Sequence, residues 1–290
     1  MIAQYRLLIE NCRRPSLSAA DLQSSGFANS RPELNCQRVP LKPADPQSSS
    51  FANSYGAALA YPLYAWLLSN APREIGEALH LQGIKPISQA VCRLDASGAE
   101  YWVVNLLTDE AIEVFAPILE RAECAQLHRG EIRFERRIAE RIESPHALIR
   151  RASALRDQNR FALQLLSPTA FKQAGRYVIY PQEALILQSL IQRWGLCFPE
   201  MPLDDPDATQ ALLQGIHIAD YRLHTLRHPL KQTRIPAFQG RVVLEARLPV
   251  PLMDILNALY CFAPYAGIGI KTALGMGAVG IELPVNNPPV

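Results

Sequence analysis

Residues 88–121 read SQAVCRLDASGAEYWVVNLLTDEAIEVFAPILER, and the architecture of the front half turns on them. Ser88 to Leu94 and Tyr101 to Leu107 are strand candidates, the second rich in aromatic and β-branched residues, and Asp95 to Gly98 supplies the turn between them. Thr108 is placed to cap a helix over Asp109 to Arg121, where Ala111, Val114, Phe115, Ile118 and Leu119 mark one face. A hairpin running straight into an amphipathic helix is half of a split βαβ unit.

The flanking segments supply the rest. Met1 to Glu10 reads as a strand, and Tyr55 to Leu68 as an apolar helix that bends after Pro72 and ends in a second short turn near His80. Cys124 to Phe134 resumes an extended pattern. The order strand, helix, strand, strand, helix, strand is that of the ferredoxin-like fold, shared by the common RNA-recognition module. Residues 11–54 interrupt it with a Ser-, Pro-, Asn- and Gln-rich insertion carrying the near-duplicates QSSGFANS at Gln23 to Ser30 and QSSSFANS at Gln47 to Ser54. Such composition buries too little apolar surface to order itself, and a slipped duplication in a tolerant loop explains the repeat more simply than a recognised motif.

Beyond Pro145, read as a linker, the plan recurs more loosely. Strands are expected at Phe161 to Leu166, Ile216 to Leu226, Gly240 to Leu248 and Ala278 to Leu283, and helices at Glu183 to Trp194 and Leu252 to Phe262. The expected fold class is therefore α+β, with two tandem ferredoxin-like domains spanning 1–145 and 146–290. Trp194 and Tyr101 are read as core residues.

Length and composition agree with this plan. A chain of 290 residues with 49% hydrophobic content can fill a core in each half. A formal charge of +2 does not by itself announce a polyanion partner, so any such surface has to come from local clustering. Cys12, Cys36, Cys92, Cys124, Cys197 and Cys261 form no CxxC pair, so neither a zinc site nor a disulfide framework is expected, and no metal or cofactor is. The chain shows no secretory leader pattern and no apolar run of membrane-spanning length, which makes the cytoplasm the expected compartment, with no membrane partner.

The segment Gly267-Ile-Gly-Ile-Lys-Thr-Ala-Leu-Gly-Met-Gly-Ala-Val-Gly280 is the most informative for function. Gly267, Gly269, Gly275 and Gly277 allow backbone conformations that bring the main chain close to a ligand, and Lys271 beside Thr272 supplies charge for a phosphate. A tight structural turn would use the same residues. Gly275, Gly277 and Gly280 also satisfy GxGxxG, but that fingerprint needs a strand before it and a helix after it. Here a helix precedes it, and Pro284, Pro288 and Pro289 follow, so a dinucleotide site is excluded.

Two further stretches are basic. Arg133, Arg136, Arg137, Arg141, Arg150, Arg151, Arg156 and Arg160 cluster around Pro145, as either an RNA surface or a solvated helix face. Tyr221 to Arg234 contains no acid and carries Arg222, His224, Arg227, His228, Lys231 and Arg234. On an extended strand Arg222, His224 and His228 would share one face, as an RNA contact or a solvated edge. Ser167 has no Asp and His placed to activate it and reads as part of a turn.

Several separated segments together resemble a known family. They are Ala78-Leu-His80, Lys85-Pro-Ile-Ser88, Leu166-Ser-Pro-Thr-Ala-Phe171, Ser189-Leu-Ile-Gln-Arg-Trp194, Phe238-Gln-Gly240 and the glycine-rich run to Gly277. In this order they are similar to the CRISPR repeat-processing endoribonucleases of the RAMP superfamily, the "Cas six" family. The resemblance implies metal-independent cleavage of CRISPR precursor transcripts within their repeats, through attack of a ribose 2′-hydroxyl that leaves a cyclic phosphate. It implies CRISPR repeat RNA as the partner, as precursor and as mature guide RNA, allows subunits of a CRISPR effector complex as further partners, and gives no reason to expect direct DNA binding. A catalytically inactive RNA-binding subunit of such a complex is the alternative. By the same resemblance His80 is the general acid or base, with Tyr64 on the first helix and Lys85 shortly after; the residues alone equally fit a helix-capping or core histidine. His128, His146, His217, His224 and His228 compete for that role.

Overall fold

The computed structural model describes residues 1–10, 55–81, 83–94, 98–128, 130–230 and 233–282. The insertion at 11–54 and Lys231 lie outside the described residues. The front half contains β1 (Ile2–Ile9), α1 (Tyr55–Ser69), α2 (Arg73–Leu81), β2 (Ile87–Arg93), β3 (Glu100–Leu106), α3 (Asp109–Arg121), β4 (Cys124–Leu127) and β5 (Gly130–Ile142). Its antiparallel sheet runs β2-β3-β1-β5-β4. Alternation along β1 sends Ala3, Tyr5 and Leu7 into a core shared with Leu63 and Leu67 of α1 and Phe115 and Leu119 of α3. Thr108 caps α3 as expected, its Oγ1 accepting from the Ala111 N–H at 3.2 Å.

The back half contains α4 (Pro145–Ala152), β6 (Arg160–Thr169), β7 (Phe171–Gln173), β8 (Arg176–Val178), α5 (Glu183–Cys197), α6 (Pro206–Gly215), β9 (Ile216–Leu230), β10 (Thr233–Ala246), α7 (Val250–Ala266) and β11 (Val279–Ile281). Its main sheet runs β11-β6-β10-β9. Counted within each half, both sheets place the last main strand beside the first, then the third, then the second. This is the ferredoxin-like order twice over, with β4 added at the outer edge of the first sheet. The fold is α+β with tandem ferredoxin-like domains.

The structure corrects several boundaries. Pro145 is no linker: it is the first residue of α4, where its missing N–H costs nothing, and Leu148 and Ala152 are buried. Cys124 to Phe134 is not one strand but β4 followed by the start of β5, folded back on it, and β5 continues to Ile142 because β1 supplies a partner along its length. The β9–β10 hairpin also outruns the strands expected from sequence, the first of which ended at Leu226 and the second of which began at Gly240. Pro229 sits on the edge strand, and Pro236 lies beyond the point, Phe238, where β10 starts to pair with β6, so neither breaks a central ladder.

Polar side chains join the halves at the end of α7. Ser88 Oγ donates to the Tyr265 carbonyl at 2.6 Å and accepts from Asn105 Nδ2 at 2.9 Å. Gln89 Nε2 donates to the carbonyls of Ala60 and Ala273, both at 3.0 Å, while its oxygen accepts from Trp102 Nε1. Arg151 and Tyr265 both donate to Glu140. Buried groups satisfied this completely hold one geometry, so the chain leaving α7 enters the next loop from a fixed direction.

Of the arginines near Pro145, Arg133, Arg136, Arg137 and Arg141 lie on β5, Arg150 and Arg151 on α4 and Arg160 on β6, and several are engaged locally. Arg133 pairs with Glu131, Arg141 with Glu120, and Arg151 with Glu140, while Arg137 donates to the carbonyls of Glu120 and Ala122.

Candidate functional site

Between the halves lies a cleft of roughly 830 Å³, walled by α1, residues 83–85, the β7–β8 hairpin, α5 and the glycine-rich loop. Lys85, Lys172, Arg193 and Lys271 line it, together with Tyr61, Tyr64 and Tyr177, and no Asp or Glu is among the lining residues. A concave surface carrying cations of separate origin and no carboxylate concentrates anions. Local placement thus supplies what the near-neutral total charge withholds.

The front half contributes the groups suited to proton transfer. Tyr64 is buried on α1, and burial raises its pKa, so the phenol stays protonated and can donate a hydrogen bond. Lys85 reaches back to the Leu79 carbonyl at the end of α2, and partial burial lowers its pKa. That carbonyl is one residue from His80, which α2 carries in its last turn; the His80 side chain lies outside the described residues.

The back half contributes the loop. Gly267 ends α7 with φ 68°, and a single 3₁₀ turn over Thr272–Leu274 follows. Of the loop glycines, only Gly269 borders the cleft; Gly267, Gly275 and Gly277 are buried. At Gly277, φ is 71° and a Cβ would lie 2.0 Å from the Ile268 carbonyl oxygen; at Gly275, φ is 99° and a Cβ would lie 2.3 Å from the Ala60 Cβ of α1. These two positions therefore let the loop close on itself and press against the front half. The N–H groups of Gly267, Gly269 and Gly277 are given to Ala263 O, Ser189 Oγ and Pro168 O, so the glycines shape the loop and Lys271 faces outward from it. Lys271 is itself left-handed at φ 58°, held there by the Leu274 N–H donating to its carbonyl at 2.8 Å. Thr272 is buried, and its Oγ1 accepts from Arg193 Nη2 at 3.3 Å.

The other expected contacts lie away from this cleft. Arg222 and Arg227 are exposed on β9 and Arg234 on β10, and His224 is half-buried. His228 is 1% exposed, its Nδ1 has no partner, and burial lowers its pKa, so it belongs to the interior and not to a contact surface. Ser167 is buried in β6, where its Oγ accepts from the Ala278 N–H at 2.9 Å, a structural use. Gly275 to Gly280 runs from a 3₁₀ turn into β11, consistent with the exclusion of a dinucleotide site.

Lys172, Tyr177 and Arg193 are among the cleft residues that sequence reasoning missed. Lys172 and Tyr177 face each other across the β7–β8 ladder, and strands of three residues are too short to show a period. Arg193 stands on the buried face of α5 among Leu190, Trp194 and Cys197. A charged residue one helical turn after Ser189 on an apolar face was the available signal.

Comparison with known proteins meets this geometry. The family model for the CRISPR-associated endoribonuclease Cas6 matches residues 163–279, which include α5 and the glycine-rich loop. The Cas6 of Streptococcus thermophilus is 29% identical over 225 residues, covering 77% of this chain and 91% of its own length. That of Mycobacterium tuberculosis is 28% identical over 230 residues, covering 78% and 72%. Among solved structures, a Cas6 product complex matches with TM-score 0.67 at 23% identity, covering 97% of this chain and 100% of its own. Thermus thermophilus Cas6 matches with TM-score 0.64 at 22% identity, covering 97% and 98%, and these two likenesses bear on the fold alone. Sequence relatives over most of the chain, a family model over its loop-bearing part and a shared tandem fold agree: the chain is similar to the CRISPR-associated endoribonucleases named Cas6.

Proposed function

We propose that this protein is an endoribonuclease that cuts CRISPR precursor transcripts within their repeats to release guide RNA, holding the RNA backbone in the cleft between its halves. The observation that carries this reading is the cleft lining, with Lys85, Lys172, Arg193 and Lys271 present and carboxylates absent. Its relatives' names as Cas6 endoribonucleases, and a structural neighbour that is a product complex, support the same assignment.

The chemistry requires no metal. The 2′-oxygen of one nucleotide attacks the adjacent phosphorus, the bond from phosphorus to the 5′-oxygen breaks, and a 2′,3′-cyclic phosphate and a 5′-hydroxyl remain. One group takes the 2′-hydroxyl proton, another protonates the leaving 5′-oxygen, and cations stabilise the charge gathered on the phosphorane. His80 serves as acid or base, since an imidazole titrates near neutrality. Lys85 stabilises the phosphorane's charge, Lys271 holds a phosphate at the glycine-rich loop, and Tyr64, kept protonated by burial, donates to a phosphate oxygen. Arg222, His224, Arg227 and Arg234, with Lys231, extend the RNA surface along the β9–β10 hairpin.

The test is incubation of purified protein with its cognate repeat RNA in excess chelator. Cleavage to a cyclic phosphate is expected, and a repeat with a 2′-deoxy sugar at the cut site should bind and stay intact. RNA that shifts on a gel yet is never cut would instead identify a non-catalytic RNA-binding subunit.

A further inference from the structure

Ser189-Leu-Ile-Gln-Arg-Trp194 carries a buried cation that the cleavage scheme leaves without a task. Arg193 is 7% exposed. Its Nη1 donates to the Ser189 carbonyl at 3.0 Å and to Ser189 Oγ at 2.5 Å, and its Nη2 donates to the Gly269 carbonyl at 2.8 Å and to Thr272 Oγ1. Nε has no partner. Every acceptor is neutral, and among the described residues no carboxylate pairs with this guanidinium. Burial without a counter-ion pushes its pKa down to about 10, still well above neutrality, so the charge persists.

Buried charges in proteins are as a rule paired, because an isolated one forfeits hydration without return. A structural pin between α5 and the loop would need only hydrogen bonds, which a neutral amide could also make. The placement is informative in the same way: Arg193 lines the cleft directly behind Gly269 and Thr272, which line it too. In a site from which carboxylates are absent, that charge is felt most strongly by whatever anion enters.

We propose that Arg193 is held without a counter-ion so that an RNA phosphodiester seated against the glycine-rich loop supplies it. The inference rests on the RNA-binding reading above and adds a phosphate subsite made of Lys271 in front of the loop and Arg193 behind it. Arg193 acts as a positioning charge and touches no reacting atom. Binding then relieves a cost already present in the free protein, which steepens the preference of this subsite for a polyanion over a neutral ligand.

Charge and tether are separable by substitution. Affinity for the repeat RNA is measured across a salt series, with folding checked by circular dichroism and a thermal melt. R193Q keeps hydrogen-bonding capacity and loses the charge; it is expected to bind at least tenfold more weakly at low salt. Its salt slope should fall by about 0.7, the value of one lost single-strand phosphate contact. R193K keeps the charge on a different geometry and should stay within about threefold of wild type. S189A cuts one tether and leaves the charge, and it too should stay within about threefold. Should R193Q fail to fold, the S189A and R193K results still decide the matter. Equal losses in R193K and R193Q, or a tenfold loss in S189A with an unchanged salt slope, would make Arg193 a pin and overturn the proposal. Wild-type protein that binds no repeat RNA at all would overturn the functional reading itself, together with this inference.

Discussion

The two halves share a strand order yet divide the work differently. In the front half α1 brings Tyr64 to the cleft, α2 carries His80 in its last turn, and the sheet mainly supports these helices. In the back half a helix end and a loop provide the charge: Lys271 on the loop and Arg193 beneath it, with Lys172 on a small hairpin. Under the proposed function, a duplicated scaffold leaves one copy free to position side chains for proton transfer and the other to hold a polyanion. Neither half alone encloses the cleft.

The sharpest way to break this division is His80→Ala. If the front half supplies the chemistry, cleavage falls by about 10²–10⁴-fold while RNA affinity changes by less than about twofold, as single-turnover kinetics and filter binding would record. Normal turnover would move the role to another histidine.

Gly275→Ala attacks the joint between the halves. The new methyl would meet the Ala60 Cβ at 2.3 Å from a backbone with φ 99°, so the loop has to move off α1. A cost of about 2–3 kcal/mol in urea unfolding is expected, with weaker RNA binding; an unchanged midpoint would mean that the loop does not rest on the front half. Lys271→Ala should act on binding alone. About five- to tenfold weaker affinity and a shallower salt dependence are expected, with the melting temperature unchanged. An unaltered salt slope would reduce the loop to scaffold.

The smallest effect concerns His228. Burial depresses its pKa, so the folded state binds fewer protons there than the unfolded chain, whose imidazole titrates near 6.5. The stability this contributes is intact above about pH 6.5 and is lost as pH falls from there through the folded pKa. His228→Leu should therefore flatten the decline of the denaturation midpoint between about pH 7 and pH 5. An identical decline in both proteins would show that other groups govern it.

Much of this was legible in the chain. Residues 88–121 announced a hairpin and a capped helix because local rules of turn, propensity and capping decide such elements, and the glycine-rich run stood out by composition. The low-visibility parts share a cause. Strands β7 and β8 are three residues each, too short for a pattern. The arginines of β5 looked like a surface for RNA because their partners, Glu120 and the carbonyls of α3's end, are distant in sequence. His228 alternated with exposed residues and only the packing of the hairpin buries it.

The sequence by itself determined the order of the main strands and helices, the repeated fold and the presence of a loop rich in glycine and flanking charge, because these follow from neighbours along the chain. Only the tertiary structure decided that Lys85, Lys172, Arg193 and Lys271 line one cleft with no carboxylate among its described lining residues, since an electrostatic site is a sum over groups brought together by folding. The same holds for the glycines: composition marked them as permissive, but which of them meet a ligand and which meet Ala60 or Ile268 depends on where the rest of the chain lies.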